Sequence, residues 1–87
     1  MSSAIYLVYV ILFDMGGLNQ EQRKRLGNRF KKAREEKKMT QEELAKKAHV
    51  SANYYARIER GEENPRTDII NKIIKALGIN SSQILPL

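Results

Sequence analysis

The sequence predicts an all-α fold of five helices with an apolar arm ahead of it. Three observations predict it. Apolar residues recur at spacings of three and four, a capping residue opens each periodic segment, and Gly16-Gly17, Gly61, Asn64-Pro65 and Gly78 mark segment boundaries. The arm is the exception. Ala4 to Phe13, AIYLVYVILF, is an unbroken apolar run, so residues 1–18 are read as one region and 19–87 as the helical domain.

Within the arm the composition is that of a strand, rich in β-branched and aromatic side chains. Ten residues are too few to cross a bilayer, which takes about twenty. No positive charge precedes the run and no A-x-A-like site follows it, so a signal peptide fits badly. The two faces of such a strand are Ile5, Leu7, Tyr9, Ile11, Phe13 and Tyr6, Val8, Val10, Leu12. Both are apolar, so it needs cover on each side and a partner along its edge. The sequence shows no second strand, which makes the same arm of another copy, paired about a two-fold axis, the natural partner. Two other readings stay open: a helix packed on the domain, and a non-native extension ahead of a start at Met15.

The first helix opens at Asn19, with Gln22 at the capping-box position. Leu26, Phe30 and Ala33 form its narrow apolar stripe, and it ends near Lys38. Between Gln22 and Lys38 stand Arg23, Lys24, Arg25, Arg29, Lys31, Lys32, Arg34, Lys37 and Lys38, against Glu35 and Glu36 only. Such a run is either a solvated face or a contact for phosphates. The second helix is capped by Thr40 with Glu43 completing the box, and Met39 and Leu44 sit where a hydrophobic staple clamps that end. The third repeats the device with Ser51 as N-cap and Val50 stapled to Tyr55, and Gly61 closes it. Asn64-Pro65 starts the fourth, whose stripe is Ile70, Ile73, Ile74 and Leu77 before Gly78. Asn80 or Ser81 caps a last short turn carrying Ile84 and Leu85.

Composition narrows the function. A chain of 87 residues has room for one domain, which buries only about 60% of its unfolded surface, so marginal stability or oligomerisation is expected. Cysteine is absent, excluding a disulfide scaffold, a thiolate zinc site and cysteine catalysis. His49 cannot build a metal site alone and is read as a turn residue. There is no His–carboxylate cluster, no G-x-x-x-x-G-K loop and no nucleophile with a base, so neither an enzyme nor a cofactor is expected. The net charge of +6 and a pI near 9.8 call for an anionic partner. The pair of helices from Thr40 to Gly61 says which. With Leu44, Ala45, Ala48, Val50, Tyr55 and Ile58 inward, Ala52, Asn53, Tyr54 and Arg57 are left on an outer face that suits a major groove.

With its helices placed, the chain resembles the Xre family, the Cro- and cI-like phage repressors and their bacterial relatives. The resemblance covers about Leu26 to Leu85 and rests on LGNRFKKAREEKKMTQEELAKKAHVS, then YYARIERGEENP, then IIKALGI. Residues 1–18 lie outside it. It implies a five-helix, lambda-repressor-like domain in which Gln41 to Ala48 lies across the DNA backbone and Ser51 to Arg60 is the recognition helix. Gln41 matches a glutamine whose amide and backbone N–H hold a phosphate, chemistry that a helix N-terminus supports independently. Thr40 and Ser51, at the two helix starts, join it in the phosphate-facing set. So do Arg60, Asn64 and Arg66, which flank the turn beyond the recognition helix. Arg34 and Glu59 match an ion pair linking the first helix to the third, a packing role first and a DNA-orienting role second. Base contacts are expected from Ala52, Asn53, Tyr54 and Arg57. Asn53 suits an adenine edge and Arg57 a guanine edge, while Ala52, where several phage repressors carry glutamine, offers only a methyl.

The expectation is therefore a cytoplasmic, nucleoid-associated, sequence-specific regulator that binds double-stranded DNA as a homodimer, with half-sites about 34 Å apart. The chain ends soon after the last helix, so dimer contacts are assigned to Ile79, Ile84 and Leu85, together with Ile5, Leu7, Tyr9 and Ile11 of the arm. The alternative is an antitoxin or other protein-interaction module whose apolar arm binds a partner protein.

Overall fold

The computed structural model describes residues 17–87. Among them lie α1 (Gln20–Glu36), α2 (Gln41–Lys47), α3 (Ala52–Glu59) and α4 (Thr67–Leu77), followed by a single 3-10 turn, Ser81–Gln83. That turn stands where a fifth helix is expected, and no strand occurs among the described residues. The arm residues Ile5, Leu7, Tyr9 and Ile11 lie outside the described residues.

Local chemistry sets the helix starts. Asn19 and Thr40 each form a complete capping box, with Gln22 and Glu43 as the reciprocal partners. The Ser51 hydroxyl accepts from the Tyr54 N–H at 3.1 Å. The helix ends share one device, in which two main-chain N–H groups reach back to the last carbonyls around a left-handed residue. After α3 the Gly61 N–H donates to Ile58 at 3.0 Å and the Glu62 N–H to Arg57 at 2.9 Å. Glycine fills the left-handed position after α3 and α4, but Lys38 (φ 56°) and His49 (φ 60°) fill it after α1 and α2. His49 is thus the pivot of the turn between the two stapled helices, a conformation costing a non-glycine residue about 1–2 kcal/mol.

One core joins all the helices. Leu26, Phe30, Leu44, Tyr55, Ile58, Ile70 and Ile73 are buried at its centre. Leu18, assigned from sequence to the end of the arm, is buried with them. α1 passes so close to the end of α3 that a Cβ on Gly27 would lie 2.4 Å from the Glu59 carbonyl oxygen and 2.5 Å from that of Ile58. Only glycine permits that approach.

Three expectations are corrected here. Ile84 and Leu85 are not a free dimer surface: they are 0% and 3% exposed within the chain's own core, leaving Ile79 half-buried at its edge. α4 does not start at Asn64-Pro65. Its N-cap is Arg66, with no side-chain capping bond, because the Asn64 side chain is engaged elsewhere, accepting from the Leu18 N–H at 3.0 Å. Nor does the basic run on α1 divide simply into solvated and phosphate-facing charge. Arg23 donates to the Leu18 carbonyl at 2.8 Å, and Arg25 and Arg29 donate to those of Leu87 and Ile84 at 2.7 Å each. These arginines tie Leu18 and the C-terminal segment to α1, while Lys24, Lys31, Lys32, Lys37 and Lys38 stay exposed.

Candidate nucleic-acid interface

α3 is two-sided. Its Tyr55, Ile58 and Glu59 point into the protein and are buried. Asn53, Arg57 and the C-cap Arg60 are exposed, whereas Ala52 and Tyr54 are half-buried against the rim of the core. Two of the four residues expected to read bases are therefore exposed, and two are partly covered by their own domain.

Behind this face a polar network fixes the helix. Glu59 accepts from Arg34 Nε at 2.7 Å and Nη2 at 3.2 Å, from Gln41 Nε2 at 2.9 Å, and from the Tyr55 hydroxyl. Arg34 Nη1 also donates to the Met39 carbonyl at 2.8 Å. One carboxylate thus joins α1, α2 and α3. Burial alone would raise the Glu59 pKa, but the hydrogen bonds from Arg34, Tyr55 and Gln41 outweigh it and hold the carboxyl below its ordinary value. Hydrogen bonding to Glu59 raises the Arg34 pKa. Burial, with Glu59 adding to it, pushes the Tyr55 hydroxyl far up, so it remains a donor at any physiological pH.

The phosphate-facing candidates surround the outer face. Thr40 and Ser51 are exposed and use their side-chain oxygens as caps. Gln41 gives one amide N–H to Glu59, and its amide has a second donor. Arg60 pairs with Glu62 at 2.9 Å, which raises the arginine pKa and lowers that of the glutamate. Arg66 is exposed at the start of α4. Asn64 is exposed but already bonded to Leu18.

Sequence reasoning missed Glu63. Its carboxylate lies 2.6 Å from Arg57 Nη2. Burial raises the Tyr54 pKa, and the charges of Glu63 and Asp68 add to that rise. No helical spacing signals this contact, because the end of α3 lies between the two partners. A second cationic feature is an open groove of about 420 Å³ between the end of α2 and α4, lined by Lys47, Ala48, His49, Lys72, Lys75 and Ala76. Among the described residues no group of three or more His, Cys, Asp or Glu is placed to hold a metal ion.

The helix-turn-helix family profile matches residues 30–84. An immunity repressor protein of Bacillus phage phi105 is 43% identical over 60 residues, which are 69% of this chain and 42% of that protein. The chain thus spans less than half the length of that repressor. An uncharacterized HTH-type transcriptional regulator, y4dJ of Sinorhizobium fredii, is 32% identical over 65 residues, 75% of this chain and 84% of the relative. Among solved structures, the restriction-modification controller protein C.Esp1396I, a tetramer in complex with its natural 35 base-pair operator, superposes with a TM-score of 0.67. It is 33% identical, over 70% of this chain and 80% of the controller.

Proposed function

The chain belongs to the helix-turn-helix family, in its Xre branch of Cro- and cI-like repressors, and on that footing we propose that it is a dimeric, sequence-specific DNA-binding transcriptional regulator. The observation that carries this reading is the two-sidedness of α3, anchored inward by Tyr55, Ile58 and Glu59 while Asn53 and Arg57 project outward. An amide and a guanidinium can each make paired hydrogen bonds, to adenine and guanine edges respectively. Ala52 and Tyr54 flank them, the first offering a methyl to thymine and the second a hydroxyl at the rim.

Thr40, Gln41, Ser51, Arg60, Asn64 and Arg66 form the proposed phosphate collar, which sets register without reading sequence. Binding is accordingly expected to weaken with salt by a log–log slope of about −0.9 per phosphate neutralised. Dimerisation is assigned to Ile5, Leu7, Tyr9 and Ile11 of the arm together with Ile79, since Ile84 and Leu85 are consumed by the core. Deleting residues 1–14 should lower the mass in solution to that of a monomer; an unchanged dimer rejects the arm's role.

Selection of bound duplexes from a random pool tests the reading as a whole. A two-fold symmetric site with half-sites about 34 Å apart is the expected outcome. A pool that stays unenriched rejects sequence-specific regulation.

A further inference from the structure

The arginine assigned to base reading does not stand free. Arg57 Nη2 lies 2.6 Å from Glu63 Oε2, with the two side chains 45% and 22% exposed. The loop carrying Glu63 is pinned on both sides. Gly61 takes φ 76°, the Glu62 N–H closes onto the Arg57 carbonyl, Asn64 is bonded to Leu18 and Pro65 is fully buried. The backbone beneath the carboxylate is thus held, and Glu63 is the less exposed partner of the pair.

We propose that Glu63 is a specificity-determining residue of the DNA interface: it holds one edge of the Arg57 guanidinium so that the remaining donors face base edges, and it withholds that charge from indiscriminate phosphate contact. The proposal rests on the regulator reading above. A guanidinium carries five N–H donors in a rigid fork, so one occupied edge leaves a second for a base. Holding the side chain in advance reduces the ordering cost that binding must meet. Against random DNA the Arg57–Glu63 pair presents no net charge, so one cation is missing from the phosphate attraction that drives non-specific binding. The carboxylate also penalises any complex in which no base contact compensates for its approach to the phosphates.

The test compares the full-length chain with Glu63→Gln and Glu62→Gln, on the site enriched from the random pool and on a scrambled duplex, across a salt series. Glu63→Gln should bind the scrambled duplex more tightly, with a log–log salt slope steeper by about 0.9. Its preference for the enriched site should fall about fivefold, the low end of what one paired base contact contributes. Glu62→Gln removes the same charge from the neighbouring pair with Arg60 and should strengthen both duplexes by one common factor. Combined with Arg57→Ala, Glu63→Gln should leave the preference unchanged, since the partner it acts through is gone. If Glu63→Gln keeps the wild-type preference, raises it, or shifts both duplexes equally, the proposal is overturned. A wild-type chain that enriches no site instead rejects the regulator reading, and this proposal with it.

Discussion

The two sides of α3 each carry an arginine–glutamate pair at nearly the same distance, 2.7 Å for Arg34–Glu59 and 2.6 Å for Arg57–Glu63. Distance does not rank them; burial does. The inner pair has side chains only 11% and 4% exposed, and its carboxylate takes further donors from Gln41 and Tyr55. A charge removed from water must keep every partner, so this pair behaves as a fixed joint between helices. The outer pair is more open, with side chains 45% and 22% exposed, and such contacts contribute about 0–1 kcal/mol. It orients the Arg57 guanidinium while contributing little to the stability of the fold. One helix therefore carries a buried pair on which the fold depends and an exposed pair on which it depends little.

The most severe way to break this contrast is Glu59→Ala. It strands the Arg34 guanidinium and leaves the buried Tyr55 hydroxyl without an acceptor, so urea denaturation should show a loss of about 3–5 kcal/mol. Gly27→Ala follows. Its methyl meets the Glu59 and Ile58 carbonyls, backbone atoms with no rotamer in which to retreat. The expected loss is about 1–3 kcal/mol, despite the better helix propensity of alanine. A smaller effect comes from acid. The Glu59 pKa in the folded chain lies below its ordinary 4.5, so near that pH the unfolded chain binds more protons than the folded one. The stability this residue contributes is complete above pH 4.5 and is lost as the pH falls through the folded value. Denaturation midpoints measured down the pH scale should therefore drop more steeply in the wild type than in Glu59→Gln. Smallest for the fold is Arg57→Ala, which should change stability by no more than about 0.5 kcal/mol. On the enriched DNA site the same change should cost about 1–3 kcal/mol and relax preference at one base pair. A stability loss from Arg57→Ala approaching that of Glu59→Ala would erase the distinction between the two sides.

What could be read in advance divides by the range of the interaction responsible. The capping boxes at Asn19 and Thr40, the Ser51 cap and the left-handed Gly61 are legible because every partner lies within a few residues. The α1–α3 ion pair is foreseen only through family resemblance, and its enlargement by Gln41 and Tyr55 is not foreseen. That network depends on where three helices meet, which no local spacing encodes. Gly27 looks unremarkable inside a helical stripe, and only the approach of α3 explains it. The start of α4 is misplaced because a contact to Leu18, 46 residues away, takes the Asn64 side chain that a local reading assigns to a cap. Ile84 and Leu85 look like an exposed apolar pair because a short terminal turn carries no periodicity to say which side is covered. Lys38 and His49 escape notice because left-handed caps are sought at glycine, and here the two-bond closure holds them there without it.

On the proposed function, the outward side of α3 meets DNA while its inward side stays locked. Titrating the enriched duplex into isotopically labelled protein and following the backbone amide resonances tests it most directly. The largest shifts are expected at residues 51–57 and at the start of α2, with Ile73 and Ile74 nearly still. Shifts concentrated instead around Lys47, Lys72 and Lys75, with Asn53 and Arg57 unmoved, would contradict it.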